Sequence, residues 1–128
     1  MTLTANAYTR SQIAFLAPEQ SVFEAYQEMQ KNNIHHLPIV KNGEAVGIIS
    51  DRDLQFIKQF GNENETACQD IMTEGPYIVT TDTPITKVAQ EMVNRRINSA
   101  LIKNSSNKII GIFTATDALK VIADHMKE

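Results

Sequence analysis

Two short stretches of this chain place a hydroxyl three residues ahead of a carboxylate: Ser50-Asp51-Arg52-Asp53 and Thr114-Ala115-Thr116-Asp117. Each follows a glycine and two apolar residues, Gly47-Ile48-Ile49 and Gly111-Ile112-Phe113. At a strand-to-helix junction this spacing builds a capping box, in which the hydroxyl takes the third backbone N–H and the acid reaches back to the cap. The same residues can also do recognition chemistry. A short Asp at a helix start can present both oxygens to a vicinal diol, such as the 2′- and 3′-hydroxyls of a ribose. The hydroxyl and the first helical amides can meet a phosphate. Asp stands where Glu or Gln closes the box best, and the pattern occurs twice, so Ser50, Asp53, Thr114 and Asp117 are expected both to cap and to bind.

The elements that hold these tetrads are themselves repeated. At an offset of 63, Gln27-Glu28-Met29 falls on Gln90-Glu91-Met92, Ile34 on Ile97 and Ile39 on Ile102; at 64, the two tetrads coincide. A period of this length is too long for a solenoid unit and implies two copies of one small module. Val22, Ala25, Tyr26 and Met29, like Ile85, Val88, Ala89 and Met92, recur at helical spacing. Asp82 or Thr83 can cap the second of these helices, with Pro84 in its first turn. Strands are expected at Leu37–Val40 and Ala45–Ile49, and at Ala100–Ile102 and Ile109–Phe113. The turns around Asn42-Gly43 and Asn104–Asn107 have hairpin chemistry. Helices begin near Asp53 and Asp117, and Leu119, Ile122, Ala123 and Met126 mark a buried stripe on the latter. Phe15-Leu16 and Ile78-Val79 can each add a leading strand. The unit is βαββα, twice, in an α+β fold. Repeat 1 spans about 8–60 and repeat 2 about 70–126, with a polar link over about 61–69 and the whole chain, 1–128, forming one module.

Composition narrows the function classes. The net charge of −3 argues against a nucleic-acid partner, which would want a basic face. Cys68 is the only cysteine, so no internal disulfide can form, and a reducing compartment suits it. No apolar run approaches the ~20 residues of a membrane span, and the start lacks the basic-then-apolar order of a signal peptide. A cytoplasmic protein is expected. No P-loop, nucleophile elbow or His-Glu-x-x-His motif is present, and nothing supplies nucleophile, base and oxyanion donors together, so an enzyme is not expected.

The order of elements, the Ile34-His35-His36-Leu37-Pro38-Ile39-Val40 run, the doubled Gly-apolar-apolar-Ser/Thr-x-x-Asp pattern and Asp70-Ile71-Met72-Thr73 together resemble a tandem cystathionine-β-synthase (CBS) domain pair, or Bateman module, over residues 10–126. The first copy departs by opening Ala7-Tyr8-Thr9-Arg10, which leaves the first ten residues unplaced. The resemblance implies two repeats packed sheet to sheet about a pseudo-twofold axis, with two clefts for adenosine-type ligands. It implies AMP, ADP or ATP, with or without Mg²⁺, as ligand, no required cofactor, and a role as an energy or metabolite sensor acting on a separate effector protein. Each cleft would take its ribose-binding Asp from one repeat and its base pocket from Phe15–Ala17 or Ile78–Thr80 of the other, so that Ala17, Ile78 and Thr80 line it. The alternatives are an S-adenosylmethionine binder or a ligand-free dimerisation module. The amphipathic helices imply a homodimer.

The copies differ in charge. His35, His36 and Arg52 correspond to Asn98, Ser99 and Thr116. In AMP-binding members of the family, basic residues at the positions of His35 and His36 contact phosphate, which implies one anion-friendly cleft and one neutral one. The competing reading is a pair of strand-edge histidines satisfied by backbone carbonyls. A metal site is not expected, because neighbouring strand residues face opposite sides and no third ligand lies near.

Overall fold

A computed structural model describes residues 2–126, so the ends of the expected 1–128 module (1, 127 and 128) lie outside the described residues. The chain divides into two compact units, Ala14–Pro76 and Met1–Ile13 with Tyr77–Glu128. Each has its own three-stranded sheet, helices and core, as the α+β repeat reading requires.

In the first unit, α1 (Val22–Asn32) leads into β1 (His36–Lys41) and β2 (Glu44–Ser50), then α2 (Asp51–Lys58), α3 (Cys68–Ile71) and β3 (Thr73–Glu74). Ser21 caps α1 by accepting from Glu24 N–H, and Asn33 ends it in the left-handed region at φ 52°. β1 and β2 form an antiparallel hairpin turned by Asn42 and Gly43, both at positive φ, the requirement of a tight hairpin loop. The expected leading strand is a single parallel bridge from Leu16 to Ile39. Val22, Ala25, Met29, Leu37, Ile39, Ile49 and Cys68 make the core.

The second unit has the full βαββα order: β4 (Ile78–Thr80), α4 (Ile85–Arg95), β5 (Ser99–Lys103), β6 (Ile109–Thr114) and α5 (Ala115–His125). β4 lies parallel to β5, and β5 antiparallel to β6. Val88, Met92, Ala100, Ile102 and Phe113 fill its core.

Four expectations change. Neither Asp82 nor Thr83 caps α4; Pro84 holds the cap position with no side-chain bond. Thr80 Oγ1 occupies this corner instead, bonded to Asp82 and facing Thr83. The helices that follow the tetrads start at Asp51 and Ala115, earlier than expected, because the hydroxyls are the caps themselves. Cys68 and Gln69, assigned to the link by composition, open α3. The stripe on α5 is not buried in this chain: Leu119, Ile122 and Met126 are 67%, 53% and 71% exposed.

The N-terminal residues also find a place. Thr4 bridges Pro84 and Thr9 bridges Gly111, with a 3-10 turn at Ala5–Tyr8 between them. Arg10 N–H donates to Ile110 carbonyl at 2.8 Å. β3 does the same job in the other unit, pairing Thr73 and Glu74 with Ile48 and Gly47. The 64-residue offset that superposes the tetrads also carries Tyr8 onto Met72 and Thr9 onto Thr73. Gly47 and Gly111 permit these approaches, since a Cβ would strike the Met72 side chain at one and the Tyr8 carbonyl at the other.

Candidate functional site

Each tetrad is a closed capping box. Asp53 Oδ2 accepts from the Ser50 N–H at 2.9 Å and from its hydroxyl at 3.0 Å, while Ser50 Oγ accepts from Asp53 N–H at 3.3 Å. Thr114 and Asp117 repeat this at 2.8, 3.0 and 3.4 Å. Both roles of the tetrad are therefore compatible, but the second is narrower than two oxygens per acid. Oδ2 already holds two donors, its full complement. Oδ1 of Asp53 and of Asp117 accepts no hydrogen bond among the described residues, and both side chains are part-buried at a helix start. One carboxylate oxygen per repeat is thus left outside the cap.

The first-turn amides are also partly spoken for. Asp51 N–H donates to the His35 carbonyl at 2.9 Å, and Ala115 N–H to that of Asn98 at 3.0 Å. Asp53 and Asp117 N–H go to the hydroxyls. The amides of Arg52 and Thr116, in the middle of each tetrad, are the first-turn donors outside these bonds. A phosphate at either helix end would meet one amide and a half-positive dipole, a modest attraction.

Register brings some of the predicted residues together at one end of each sheet. His36 lies directly opposite Ser50, and Ser99 opposite Thr114. His35 sits next to the start of α2, with Nδ1 2.8 Å from Asp51 Oδ2. Sequence reasoning passed over Asp51. The pairing changes the expected charge there, because Asp51 offsets Arg52. With histidines neutral, the first tetrad carries the same net charge as the second, whose Ala115 and Thr116 are uncharged. Arg52 and Thr116 are both exposed.

Ala17 and Thr80 are not beside the tetrad of their own unit, and Ile78, opposite Leu101, is two residues along β5 from Ser99. Leu16 pairs with Ile39, so Ala17 continues toward the Val40 end of β1, while His36 marks the tetrad end. Thr80 pairs with Lys103, and Ser99, four residues back along β5, pairs with Thr114. At ~3.3 Å per residue this separates Thr80 from the tetrad end by about 13 Å along the strand. Ala17 N–H is held by the Gln20 side chain at 2.8 Å.

Tyr8 is the second residue that sequence reasoning missed. Its ring meets Phe113 edge-on at 4.8 Å. Burial, and then the carboxylates of Asp117 and Asp124, push its phenol above the ordinary value. The 64-residue offset was the available signal. Cys68 is fully buried, and burial followed by Glu24 raises its thiol to about 11, which leaves it unreactive as a nucleophile. Among the described residues, no group of three or more His, Cys, Asp or Glu could hold a metal ion. No described helix is long and apolar enough to cross a membrane.

Comparison with known proteins agrees with this geometry. The family model for the CBS domain matches residues 5–57 and again 68–124. Inosine-5′-monophosphate dehydrogenase of Thermoplasma acidophilum is 31% identical over 104 residues, 81% of this chain and 20% of that protein. The Bacillus subtilis enzyme is 32% identical over 112 residues, 84% of this chain and 22% of that protein. The chain thus spans about a fifth of the length of the curated relatives it matches. Among solved structures, the CBS domain pair of protein MJ0100 in complex with 5′-methylthioadenosine and S-adenosyl-L-methionine is 26% identical with a TM-score of 0.83, covering 97% of this chain and 98% of that one. An uncharacterized conserved protein from Pyrococcus horikoshii is also 26% identical, with a TM-score of 0.78 over 100% of this chain and 96% of that one. Two matched repeats, each with its capped tetrad, place the chain in the CBS domain family, of which it carries a pair.

Proposed function

We propose that this CBS pair is a regulatory module that binds adenosine-type ligands at its two tetrads and is not itself a catalyst. The observation that carries the reading is the open Oδ1 of Asp53 and Asp117, held rigid because Oδ2 is locked into the cap. A fixed carboxylate oxygen at a helix start accepts a ribose hydroxyl without paying to order a side chain. Ser50, Thr114 and the central amides of Arg52 and Thr116 supply the remaining polar contacts. His36 and Ser99 stand across the sheet from the caps, where the remainder of a ligand would lie. Ala17, Ile78 and Thr80 are assigned to the base. The methylthioadenosine and S-adenosylmethionine held by the MJ0100 pair support a ligand built on adenosine rather than one defined by phosphate.

The active form is a homodimer, supported by the exposed Leu119 and Ile122 of α5, Met126 at its C-cap and Val93 of α4. Binding at the tetrads would be read by an effector protein. A thermal-shift panel of adenosine, AMP, ADP, ATP, methylthioadenosine and S-adenosylmethionine, with and without Mg²⁺, tests the reading. At least one should raise the melting temperature in a concentration-dependent way, because a ligand that binds only the folded state stabilises it. No shift with any of them would leave a ligand-free dimerisation module as the better account.

A further inference from the structure

Gly47 and Gly111 stand at matching places three residues ahead of the two tetrads, yet the notch each one leaves is filled differently. At Gly47 the Met72 side chain lies where a Cβ would stand; at Gly111 the Tyr8 carbonyl does. Met72 therefore spends its side chain on the notch. Tyr8 fills its notch with backbone, and its ring reaches on to Phe113, the residue before Thr114, meeting it edge-on at 4.8 Å. The rim of the second unit's core holds Tyr8 together with Ala118 and Val121 of α5, next to Asp117 and one turn beyond it. Tyr8 is part-buried, and its hydroxyl makes no hydrogen bond among the described residues. Burial, and then the charges of Asp117 and Asp124, hold the phenol protonated above its ordinary value, so it keeps a proton to donate at neutral pH.

A sugar hydroxyl bound at Asp117 has use for such a donor. The carboxylate only accepts, so it takes the hydroxyl's proton and leaves the hydroxyl's oxygen without a donor of its own. A phenol supplies one, and a thioether does not. We infer that Tyr8 is a ligand residue of the second unit, its O–H donating to the same ribose hydroxyl whose proton Asp117 accepts. This rests on the adenosine reading above and adds the residue that completes one of the two sites. All the groups involved belong to a single unit, Met1–Ile13 with Tyr77–Glu128. In the first unit Met72 holds the matching place, so a sugar at Asp53 meets no phenol. The second tetrad is then the tighter of the two toward adenosine, and the chain binds it in two unequal steps.

Tyr8→Phe in the full chain tests the inference, because it keeps the ring on Phe113 and removes only the hydroxyl. Calorimetry with adenosine, 2′-deoxyadenosine and 3′-deoxyadenosine is run on the unmodified chain and on the variant. The tighter step with adenosine should weaken about two- to tenfold, the loss of one neutral hydrogen bond. The loss should vanish for whichever deoxy compound lacks the shared hydroxyl and persist for the other. The melting temperature without ligand should stay unchanged, since the hydroxyl has no partner to lose. Equal adenosine affinities for the two chains would overturn the inference and leave the adenosine reading standing. A loss of the same size with all three compounds, or a lowered melting temperature without ligand, would mark Tyr8 as structural and overturn it too. No binding of adenosine or AMP by the unmodified chain would remove both.

Discussion

Asp53 Oδ2 takes both the N–H and the hydroxyl of Ser50, at 2.9 and 3.0 Å, and so is filled before any ligand arrives. One oxygen of the carboxylate holds the helix, and the other lies outside the cap. Asn can keep the first job with its carbonyl, but its NH₂ only donates, so a ribose hydroxyl would lose its charged acceptor. Asp53→Asn and Asp117→Asn should therefore weaken the preference for ribose over deoxyribose at little cost in stability. Ser50→Ala and Thr114→Ala, which remove the caps, should each cost about 1 kcal/mol in urea unfolding.

Gly111 and Gly47 look equivalent in sequence but should respond differently to a methyl group. At Gly111 the new Cβ meets backbone, the Tyr8 carbonyl and Thr9 Cα at 3.0 Å; at Gly47 it meets the Met72 side chain, with Cγ at 2.7 Å. Backbone cannot swing away and a methionine can. Gly111→Ala should cost about 1–3 kcal/mol and release the N-terminal residues to proteolysis, whereas Gly47→Ala should cost less and be relieved by Met72→Ala. Equilibrium unfolding with limited proteolysis checks both.

Cys68 offers a pH test of its surroundings. Its thiol is raised to about 11, first by burial and then by Glu24, against an ordinary 9.0. The unfolded chain therefore loses this proton at lower pH than the folded one. Stability from Cys68 is complete below about pH 9 and falls as pH climbs toward 11. At pH 8, alkylation by iodoacetamide should be slow in the native protein and fast in urea.

The repeat, both hairpins and both caps were legible in sequence because each rests on contacts within a few residues. Asn42-Gly43 and the Ser50–Asp53 spacing are examples. What escaped was set by distance. His35 and Asp51 meet across 16 residues, and no local pattern announces the pair. Tyr8 stands where the second repeat has Met72, a substitution that hid the matching role of the N-terminal segment. The α5 stripe shows the limit of periodicity: it says that one face wants cover, and Leu119 at 67% exposure shows that this chain's own core does not provide it.

The His35–Asp51 pair makes a prediction about anions. Asp51→Asn should raise the affinity for AMP relative to adenosine at the first tetrad, and Arg52→Ala should lower it. The side chains of His35 and Asp51 are 70% and 47% exposed and Arg52 is exposed, so each change should be modest, about 0.2–1 kcal/mol or up to roughly fivefold. Calorimetry with the two ligands on the two variants gives the ratio directly.

The central claim is that Asp53 and Asp117 recognise the ribose of an adenosine-type ligand. Calorimetric titration of AMP against 2′-deoxy-AMP, on the unmodified chain, tests it most directly. Losing one hydrogen bond to a carboxylate should weaken the deoxy compound by about 1.5–3 kcal/mol, roughly tenfold and upward. Equal affinities for the two nucleotides would contradict the claim and leave the open oxygens of the two caps without a ligand.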